Sequence, residues 1–408
     1  MLAVFLYYDD MQPSAFFAAV TLIMAFGVVL NARDGAAQDK ALRGSASWAG
    51  DTKTADGASG SRRRAEYDLL RALAACFVIV THVFQTNMAV ASEPHRDQQL
   101  LSLVTLCCNP IYVMLSGALL LRWKEESIWE FYRKRITKLL LPLLLYYTFY
   151  LWENRIITGM SFMEAAGLVL GNLISGSTPE TPYYWLIYTI MSLYVVFPFF
   201  RYMLRDMPYR IAGTLSVLCI CFMGAAAYLP LLLGGFGIST FLGSWAGAAI
   251  LGYFLSLEET RRFDGMIMAL GAGAAVCMAA CVYLGCDYMQ LCTGTAPVMI
   301  IFSAGLFSAV LHLGGLLRER HLLKVVGFLS RHSLGIILIH WWVVFWPVKR
   351  HFGLGIIELS GTRCLLLSAI TLIISAAAAF GVDRLLILPI ERLMGFVRKS
   401  FQKLHRNP

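Results

Sequence analysis

Long apolar segments recur along the chain from residue 67 onward, and short polar loops separate them. Most of these segments reach the roughly 20 helical residues that a hydrocarbon core of ~30 Å requires. The pattern therefore predicts an all-α, polytopic membrane protein built as a ten-helix transmembrane bundle. The predicted spans are residues 67–91, 101–121, 138–154, 184–203, 211–232, 240–257, 265–285, 296–313, 327–347 and 363–388.

Three regions follow from this pattern. Residues 66–391 form the ten-span domain, and residues 392–408 form a basic tail. Residues 1–65 contain an apolar segment, Ala15 to Leu30, and then a linker rich in Gly, Ala, Ser and Asp that is expected to be disordered. No basic residue precedes Ala15, as a secretory signal would require. An extra N-terminal span and a start codon assigned too far upstream both fit this segment.

Composition supports the membrane class. Hydrophobic residues make up 58% of the chain and charged residues only 14%, against roughly 25% charged in a soluble domain. The net charge of +9 does not indicate nucleic acid, because the Lys and Arg residues lie in short loops rather than on one face. The ten cysteines include no Cys-x-x-Cys pair, so neither a metal nor a redox site is expected. Cys286 and Cys292 flank one short loop and could pair on an oxidising side.

The distribution of basic residues predicts the orientation. Loops on one side of the bundle carry fourteen Lys and Arg, and the opposite loops carry five, namely Arg96, Arg155, Lys349, Arg350 and Arg363. Basic residues remain preferentially on the cytoplasmic side. Both ends of the ten-helix domain, including the C-terminal tail, are therefore predicted to be cytoplasmic.

Ionisable residues within a span are costly and often mark a functional cavity. Arg71 and His82 in the first span are eleven residues apart, which places both on one helix face with His82 ~16 Å deeper. Asp68 lies one turn before Arg71 and can pair with it. Taken singly, Arg71 also fits a snorkelling anchor, and His82 fits a neutral histidine that bridges two helices. The presence of Arg71 and His82 on one helix face favours a functional site.

Other polar positions accompany this pair. Ser116-Gly117 forms a small polar break in the second span, and Arg133 to Lys138 form a basic run on the predicted cytoplasmic side. That run fits phosphate binding and equally fits anchoring by the charge rule. His340, thirteen residues into the ninth span, is expected in the outer half. Tyr183, Tyr184, Trp185 and Tyr194 resemble an interfacial aromatic belt.

These residues resemble those of the acyltransferase-3 family of bacterial integral membrane O-acyltransferases, over residues 66 to 391. The first span is similar to the family motif in which Asp-x-x-Arg is followed after ten residues by His. Four further elements occur in the family order: Tyr112 to Gly117, Arg133 with Arg135 before Pro142, Tyr184-Trp185 with Tyr194 to Pro198, and Ser333 to His340.

The resemblance implies acyl transfer, usually of acetyl, from a cytoplasmic coenzyme A thioester to a hydroxyl of a glycan such as an exopolysaccharide, cellulose included. Acyl-coenzyme A is then a co-substrate, and no bound cofactor or metal is expected. His82 and Arg71 are the implied catalytic residues. Donor binding is assigned to Arg133, Arg135 and Ser116, and acceptor binding or support to His340, Ser333, Asp68, Tyr194 and Trp185.

Two points stay open from the sequence. His82 could act as a general base for the sugar hydroxyl or could carry the acyl group transiently. A transporter or flippase for a glycan or lipid intermediate is the alternative function, although the sequence shows no internal repeat of the kind typical of secondary transporters. Polysaccharide synthase subunits are expected partners, and a purely structural subunit of such a synthase is a third reading.

Overall fold

A computed structural model describes residues 56–89, 91, 95–233, 240–313, 320–350 and 359–394. The segment Ala15 to Leu30, most of the linker and most of the C-terminal tail lie outside these residues. The described part of the chain is helical and contains no strand, which confirms the predicted all-α class. Its helices are α1 (Asp56–Met88), α2 (Arg96–Thr105), α3 (Cys108–Leu120), α4 (Ile128–Glu153), α5 (Phe162–Ser175), α6 (Trp185–Leu204), α7 (Tyr209–Leu232), α8 (Trp245–Leu255), α9 (Asp264–Tyr283), α10 (Tyr288–Cys292), α11 (Pro297–Leu313), α12 (Arg320–Arg350) and α13 (Gly361–Val382).

Seven helical segments among the described residues are long and apolar enough to cross a membrane. They are Ala65–Met88, Arg96–Leu120, Pro182–Leu204, Tyr209–Leu232, Glu258–Tyr283, Leu322–Val344 and Gly361–Met394. The other three predicted spans lie on α4, α8 and α11. The apolar part of α4 is short because its first turns carry the basic run, while α8 and α11 have 11 and 17 residues. The structure thus supports a multi-pass membrane protein.

The second span is broken where its sequence requires a break. Helix α2 ends at Thr105 and α3 begins at Cys108. The ring of Pro110 would clash with the carbonyl of residue 106 in a continuous helix, and proline also lacks the N–H that such a helix needs. In the last turn of α2, the Thr105 hydroxyl donates back to the Leu101 carbonyl at 2.8 Å. Thr81 of α1 in turn donates to Thr105 at 2.8 Å, so the break is tied to the helix that carries His82.

Glycines allow α3 and α8 to pack backbone against backbone. A methyl group added at Gly117 would stand 1.9 Å from the Ala249 carbonyl oxygen, and one at Gly252 would stand 2.0 Å from the Met114 oxygen. Both distances are far below van der Waals contact, so only glycine fits at either position. The close approach expected for the Ser116-Gly117 break is therefore present, with α8 as the partner.

Helices α1, α12 and α13 share one apolar core. Its buried members are Ile79, Val83, Phe84, Ile336, Val344, Cys364, Ala376 and Ala379. At the predicted outer end, the Asn87 side-chain amide donates to the Leu359 carbonyl at 3.0 Å and accepts from the Leu359 N–H at 2.8 Å. This two-way bond fixes the start of α13 against the end of α1.

Residues 147–188 form a compact unit distinct from residues 63–146 and 189–394. Ser161 and Glu164 cap α5 by a reciprocal capping box, which explains why the helix begins there. Tyr147, Tyr150, Tyr183 and Tyr184 pack together, and the Tyr183 hydroxyl donates to that of Tyr150 at 2.6 Å. Tyr183 and Tyr184 are 6% and 0% exposed, so the prediction that these two belong to an interfacial belt is wrong. They form the core of the connection instead.

Candidate active site

Two imidazoles, half-buried His82 and fully buried His340, face each other between α1 and α12. The ring centroids of His82 and His340 are 5.2 Å apart and nearly parallel, with 28° between the ring planes. Trp341 lies edge-on to His82 at 5.4 Å. His340 is fully buried, and the apolar core of α1, α12 and α13 lies alongside. Two adjacent imidazoles in an apolar enclosure can accept, hold and pass on a proton.

The hydrogen bond that His340 makes defines its tautomer. Its Nδ1 lies 2.6 Å from the carbonyl oxygen of Ile337, one turn earlier on α12. A carbonyl can only accept, so Nδ1 carries the proton of the neutral ring and Nε2 is the basic nitrogen. The α12 backbone therefore orients His340 and determines which of its atoms can do acid–base chemistry.

The structure corrects the depth expected for His340. Residue counting placed it in the outer half of the bundle, beyond His82, yet the two rings are side by side. His82 lies seventeen residues after Ala65 and His340 eighteen residues after Leu322, where their spans begin. The two helices run parallel, because Arg71 contacts Ser330 and His82 contacts His340. Nearly equal offsets on parallel helices bring both histidines to one depth.

Arg71 is held by a small polar network on the same face of α1 as His82. Its Nη1 donates to the Ser330 hydroxyl at 3.0 Å and lies 3.4 Å from Asp68 Oδ1. The Ser330 hydroxyl donates to the same carboxylate oxygen at 2.6 Å. The predicted pairing of Asp68 with Arg71 is therefore present, and Ser330 adds a tie to α12. Arg71 keeps about 31% of its side chain exposed, which leaves the guanidinium accessible to an anion.

Three more predicted site residues lie at the Arg71 end of the bundle. The Tyr112 hydroxyl donates to the Arg71 carbonyl at 3.3 Å and also interacts with Ser333. Ser116 donates to the Tyr112 carbonyl at 2.9 Å, and its hydroxyl interacts with the Tyr194 side chain. Ser116, Ser333 and Tyr194 thus come together around Tyr112, whereas Trp185 begins α6 within the separate unit of residues 147–188.

The predicted donor-binding arginines differ from each other in their surroundings. Arg135 donates to Glu126 Oε1 at 2.9 Å, Lys134 donates to the same oxygen at 3.1 Å, and Arg201 donates to Oε2 at 3.1 Å. The guanidiniums of Arg135 and Arg201 also lie over the Phe131 ring at 4.6 and 4.7 Å. Arg133 makes no ion pair with any described residue. The cluster is thus an internal charge network, with Arg133 as the member available to a ligand.

Glu126 is the centre of this network, although nothing in the local sequence distinguishes it from the neighbouring carboxylates. Its side chain is 1% exposed. Burial raises the pKa of the Glu126 carboxyl, but hydrogen bonds from Arg135, Lys134 and Arg201 outweigh burial and lower the pKa to about 2. The carboxylate is therefore ionised at neutral pH, and with Glu130, which also pairs with Lys134, it faces three cations with two negative charges. The local excess of positive charge favours a bound phosphate.

Ser330 and Tyr112 are site residues that sequence reasoning missed. Ser330 lies three residues before the stretch Ser333 to His340 that resembles the family motif, and its (i, i+3) spacing to Ser333 on α12 was the available signal. Asp383 pairs with a residue of another helix rather than with its neighbour in the chain. In the structure Asp383 contacts His332 Nδ1, and Arg384 lies over the Phe380 ring instead.

The comparison with known families agrees with this geometry. The family model of the acyltransferase domain, acyltransferase-3, matches residues 64–381, which covers most of the chain and every site residue described above. No curated protein and no solved structure matches the chain. The chain therefore belongs to the acyltransferase-3 family, as a membrane-bound acyltransferase.

Proposed function

We propose that this chain transfers an acyl group, most simply acetyl, from cytoplasmic coenzyme A to a hydroxyl of a glycan. The observation that carries the proposal is the stacked pair of His82 and His340, with His82 on the same face of α1 as Arg71. Eleven helical residues separate Arg71 from His82, or about 16 Å along the axis. A donor with its phosphates near Arg71 could extend its pantetheine arm toward the histidines over that distance.

The chemistry follows from the orientation of the rings. An imidazole of the pair takes the proton of the sugar hydroxyl as the oxygen attacks the thioester carbonyl. The carbon–sulfur bond then breaks, and coenzyme A leaves as a thiolate that takes up a proton. In the alternative route, His82 accepts the acyl group first and passes it to the glycan. The adjacent His340 supports either route, because its Nε2 is the basic nitrogen of the neutral ring.

The donor phosphates would bind at the predicted cytoplasmic end. Arg133 and Arg135 are the proposed phosphate ligands, with Arg71 and Ser116 further along the donor. Arg133 can bind directly, whereas Arg135 must exchange its bond with Glu126 for one with phosphate. Asp68 and Ser333 position their neighbours, and Tyr194 and Trp185 are assigned to acceptor support.

The acceptor side of the proposal concerns the outer face of a bacterial inner membrane. A surface exopolysaccharide, cellulose included, is the proposed acceptor, and polysaccharide synthase subunits are the proposed partners. The fourteen-to-five distribution of basic residues supports a cytoplasmic C-terminus. A topology reporter fused after residue 408 should be active only on the cytoplasmic side, and activity on the outer side would reverse the assigned orientation.

The test uses the full chain in liposomes with acetyl-coenzyme A and a β-glucan oligosaccharide. Wild type should release coenzyme A thiol and form a sugar ester. His82→Ala should lose about 10²- to 10⁴-fold in rate, the usual loss for a general base, and His340→Ala should lose a similar factor. His312→Ala is the matched control, because His312 on α11 is 60% exposed and pairs only with Asp264 among the described residues.

The possible outcomes separate the competing functions. A transporter or a structural subunit would leave the thioester intact in the wild-type assay. Near-normal ester formation by both His82→Ala and His340→Ala, at equal protein level, would make the pair structural. Label from radioactive acetyl-coenzyme A that stays on wild type without acceptor, and is absent from His82→Ala, would establish the acyl-histidine route over direct transfer.

A further inference from the structure

The interface of α12 and α13 contains a titratable pair that the acyl-transfer site does not use. His332 Nδ1 contacts Asp383 Oδ2, with side chains 15% and 25% exposed. The rings of Phe328 and Phe380 lie 4.7 and 5.6 Å from the His332 ring. Asp383 also begins a π-helical segment, Asp383–Ile387. Such π-turns interrupt α-helices mostly at functional sites.

Two buried hydroxyls lie further along the same interface. A methyl group added at Gly335 would stand 2.9 Å from the Tyr146 hydroxyl oxygen and 2.8 Å from the Ala379 side chain. Tyr146 of α4 therefore inserts its hydroxyl between α12 and α13, one turn from His332 and from Asp383. Ser375, one turn beyond Ala379, is fully buried. Neither Tyr146 Oη nor Ser375 Oγ has a hydrogen-bond partner among the described residues.

Two contacts fix the register of these helices. His332 lies against Asp383, and Gly335 lies against Ala379, so α12 and α13 run antiparallel. Continuing that register places Ser375 opposite His340. Eight residues separate His332 from His340, and eight separate Asp383 from Ser375, which is about 12 Å along each helix axis. Polar groups thus follow one another from the His332–Asp383 pair, called the dyad below, past Tyr146, to the depth of His82 and His340.

Buried hydroxyls are expensive to leave without a partner. Each unsatisfied group costs about 1–3 kcal/mol, and buried water is the usual way to satisfy polar groups that the protein does not. Gly335 of α12 and two small residues of α13, Ser375 and Ala379, line the stretch along which the two hydroxyls lie. Ordered water between α12 and α13 would satisfy Tyr146 and Ser375 together.

We propose that a row of ordered water along Ser375 and Tyr146 carries a proton between His340 and the His332–Asp383 dyad. The inference rests on the proposed acyl transfer. In each turnover the histidine pair gains the proton of the acceptor hydroxyl, and the coenzyme A thiolate requires one proton. The row carries the first proton to the dyad toward the predicted cytoplasmic end, and the coenzyme A thiolate takes it up as it leaves the histidine pair on that side. Sugar hydroxyl and acyl thioester give ester and thiol, and no further reactant is consumed.

The groups that face the dyad are compatible with this role. Asp383 holds His332 directly, and Tyr146 approaches from α4. Arg384 lies over the other side of the Phe380 ring, with its guanidinium 5.5 Å from the centroid. The dyad thus couples one acid and one base beside a cation, which is suited to receiving and releasing a proton.

The first test needs no activity. X-ray hydroxyl-radical labelling of the purified full chain modifies buried residues where ordered water adjoins them. Tyr146 should be oxidised despite being only 2% exposed. Tyr147 is the matched control, because it is fully buried and its hydroxyl is bonded by Asn172 and Glu180. A Tyr146 as unreactive as Tyr147 would show a dry interface and overturn the proposal.

The second test measures turnover in liposomes with acetyl-coenzyme A and a β-glucan oligosaccharide. Tyr146→Phe and Ser375→Ala should lower kcat by about tenfold, less than loss of the base itself, and should change the solvent deuterium isotope effect. The KM for acetyl-coenzyme A should stay unchanged, since neither residue binds the donor. Ser368→Ala is the control, because Ser368 lies on the same helix but donates to the Cys364 carbonyl at 2.8 Å.

The outcomes distinguish this inference from the function on which it rests. Wild-type kcat and isotope effect in both variants would remove the proton role, even with Tyr146 labelled. A wild-type protein that consumes no acetyl-coenzyme A would refute the proposed function and the proton role with it. The labelling result would still decide whether water occupies the interface.

Discussion

Glu126 offers the sharpest test of the charge network at the predicted cytoplasmic end. Substituting Glu126→Gln keeps the size of the side chain but removes the only anion that Arg135 and Arg201 contact among the described residues. Lys134 is less affected because Glu130 also pairs with it, at 2.6 Å. The substitution therefore leaves two guanidiniums adjacent to the Phe131 ring without a counter-charge.

The size of the effect follows from burial. Removing one partner of a buried ion pair costs about 3–5 kcal/mol, and Glu126 and Arg201 are 1% and 6% exposed. The bond to Lys134, which is 44% exposed, adds only about 0–1 kcal/mol. The glutamine oxygen still accepts one hydrogen bond, so we expect a loss near the lower limit, about 3 kcal/mol. Glu125→Gln next to it is the control, because Glu125 is exposed and should change stability by less than about 0.5 kcal/mol.

Thermal unfolding in detergent, followed with a dye that reacts with newly exposed thiols, measures the difference. Buried cysteines such as Cys107, Cys108 and Cys219 provide the signal. Because the pKa of Glu126 is lowered to about 2, its stabilising effect is fully present above the ordinary carboxyl value of about 4.3. The effect is lost as pH falls toward 2. The deficit of Glu126→Gln should thus be largest above pH 5. Equal stability of the two variants at pH 7 would refute the reasoning.

Two further changes probe packing and donor binding. Gly117→Ala should destabilise the protein by about 3 kcal/mol, the upper range for overpacking, because its methyl group would overlap the α8 backbone. Gly273→Ala is the control and should change the unfolding temperature little, because its methyl group meets open space. Equal effects of the two substitutions would contradict the packing argument. Arg133→Gln should raise the KM for acetyl-coenzyme A without changing stability. Arg135→Gln should mainly lower stability, because it removes the bond with Glu126. An unchanged KM in Arg133→Gln would reduce the basic run to a topology anchor.

The sequence predicted the membrane class and the helix that carries the first motif because both depend on local periodicity. Apolar runs identify helices whatever their neighbours, and the eleven-residue spacing of Arg71 and His82 defines a shared face. Span counts are less certain for helices such as α8, whose 11 residues pack against α3 through glycine contacts that no hydropathy pattern reports. The break at Thr105 follows from Pro110, but a hydropathy pattern gives one continuous span there.

Contacts between helices that are distant in the chain could not be predicted from local sequence patterns. The pairing of His82 with His340 depends on the relative register of α1 and α12, which residue counting within each predicted span misjudged. Ser330 binds Arg71, which is 259 residues away in the chain, and Glu126 binds Arg201, which is 75 residues away. Tyr146 lies against Gly335 of another helix. Such residues are common types at unremarkable positions, and only the fold distinguishes them.

The parallel packing of α1 and α12 has a mechanistic consequence. Two tiers join these helices, Arg71 with Ser330 at one level and His82 with His340 about 16 Å further along. A rotation of α1 that displaced Arg71 would therefore also turn His82 away from His340, because a helix moves as a rigid element. A donor anion that engages Arg71 would act on the same rigid helix that presents His82, the imidazole proposed as the base. Donor binding and alignment of the base are then two properties of one helix pair, which explains why residues so far apart belong to a single site.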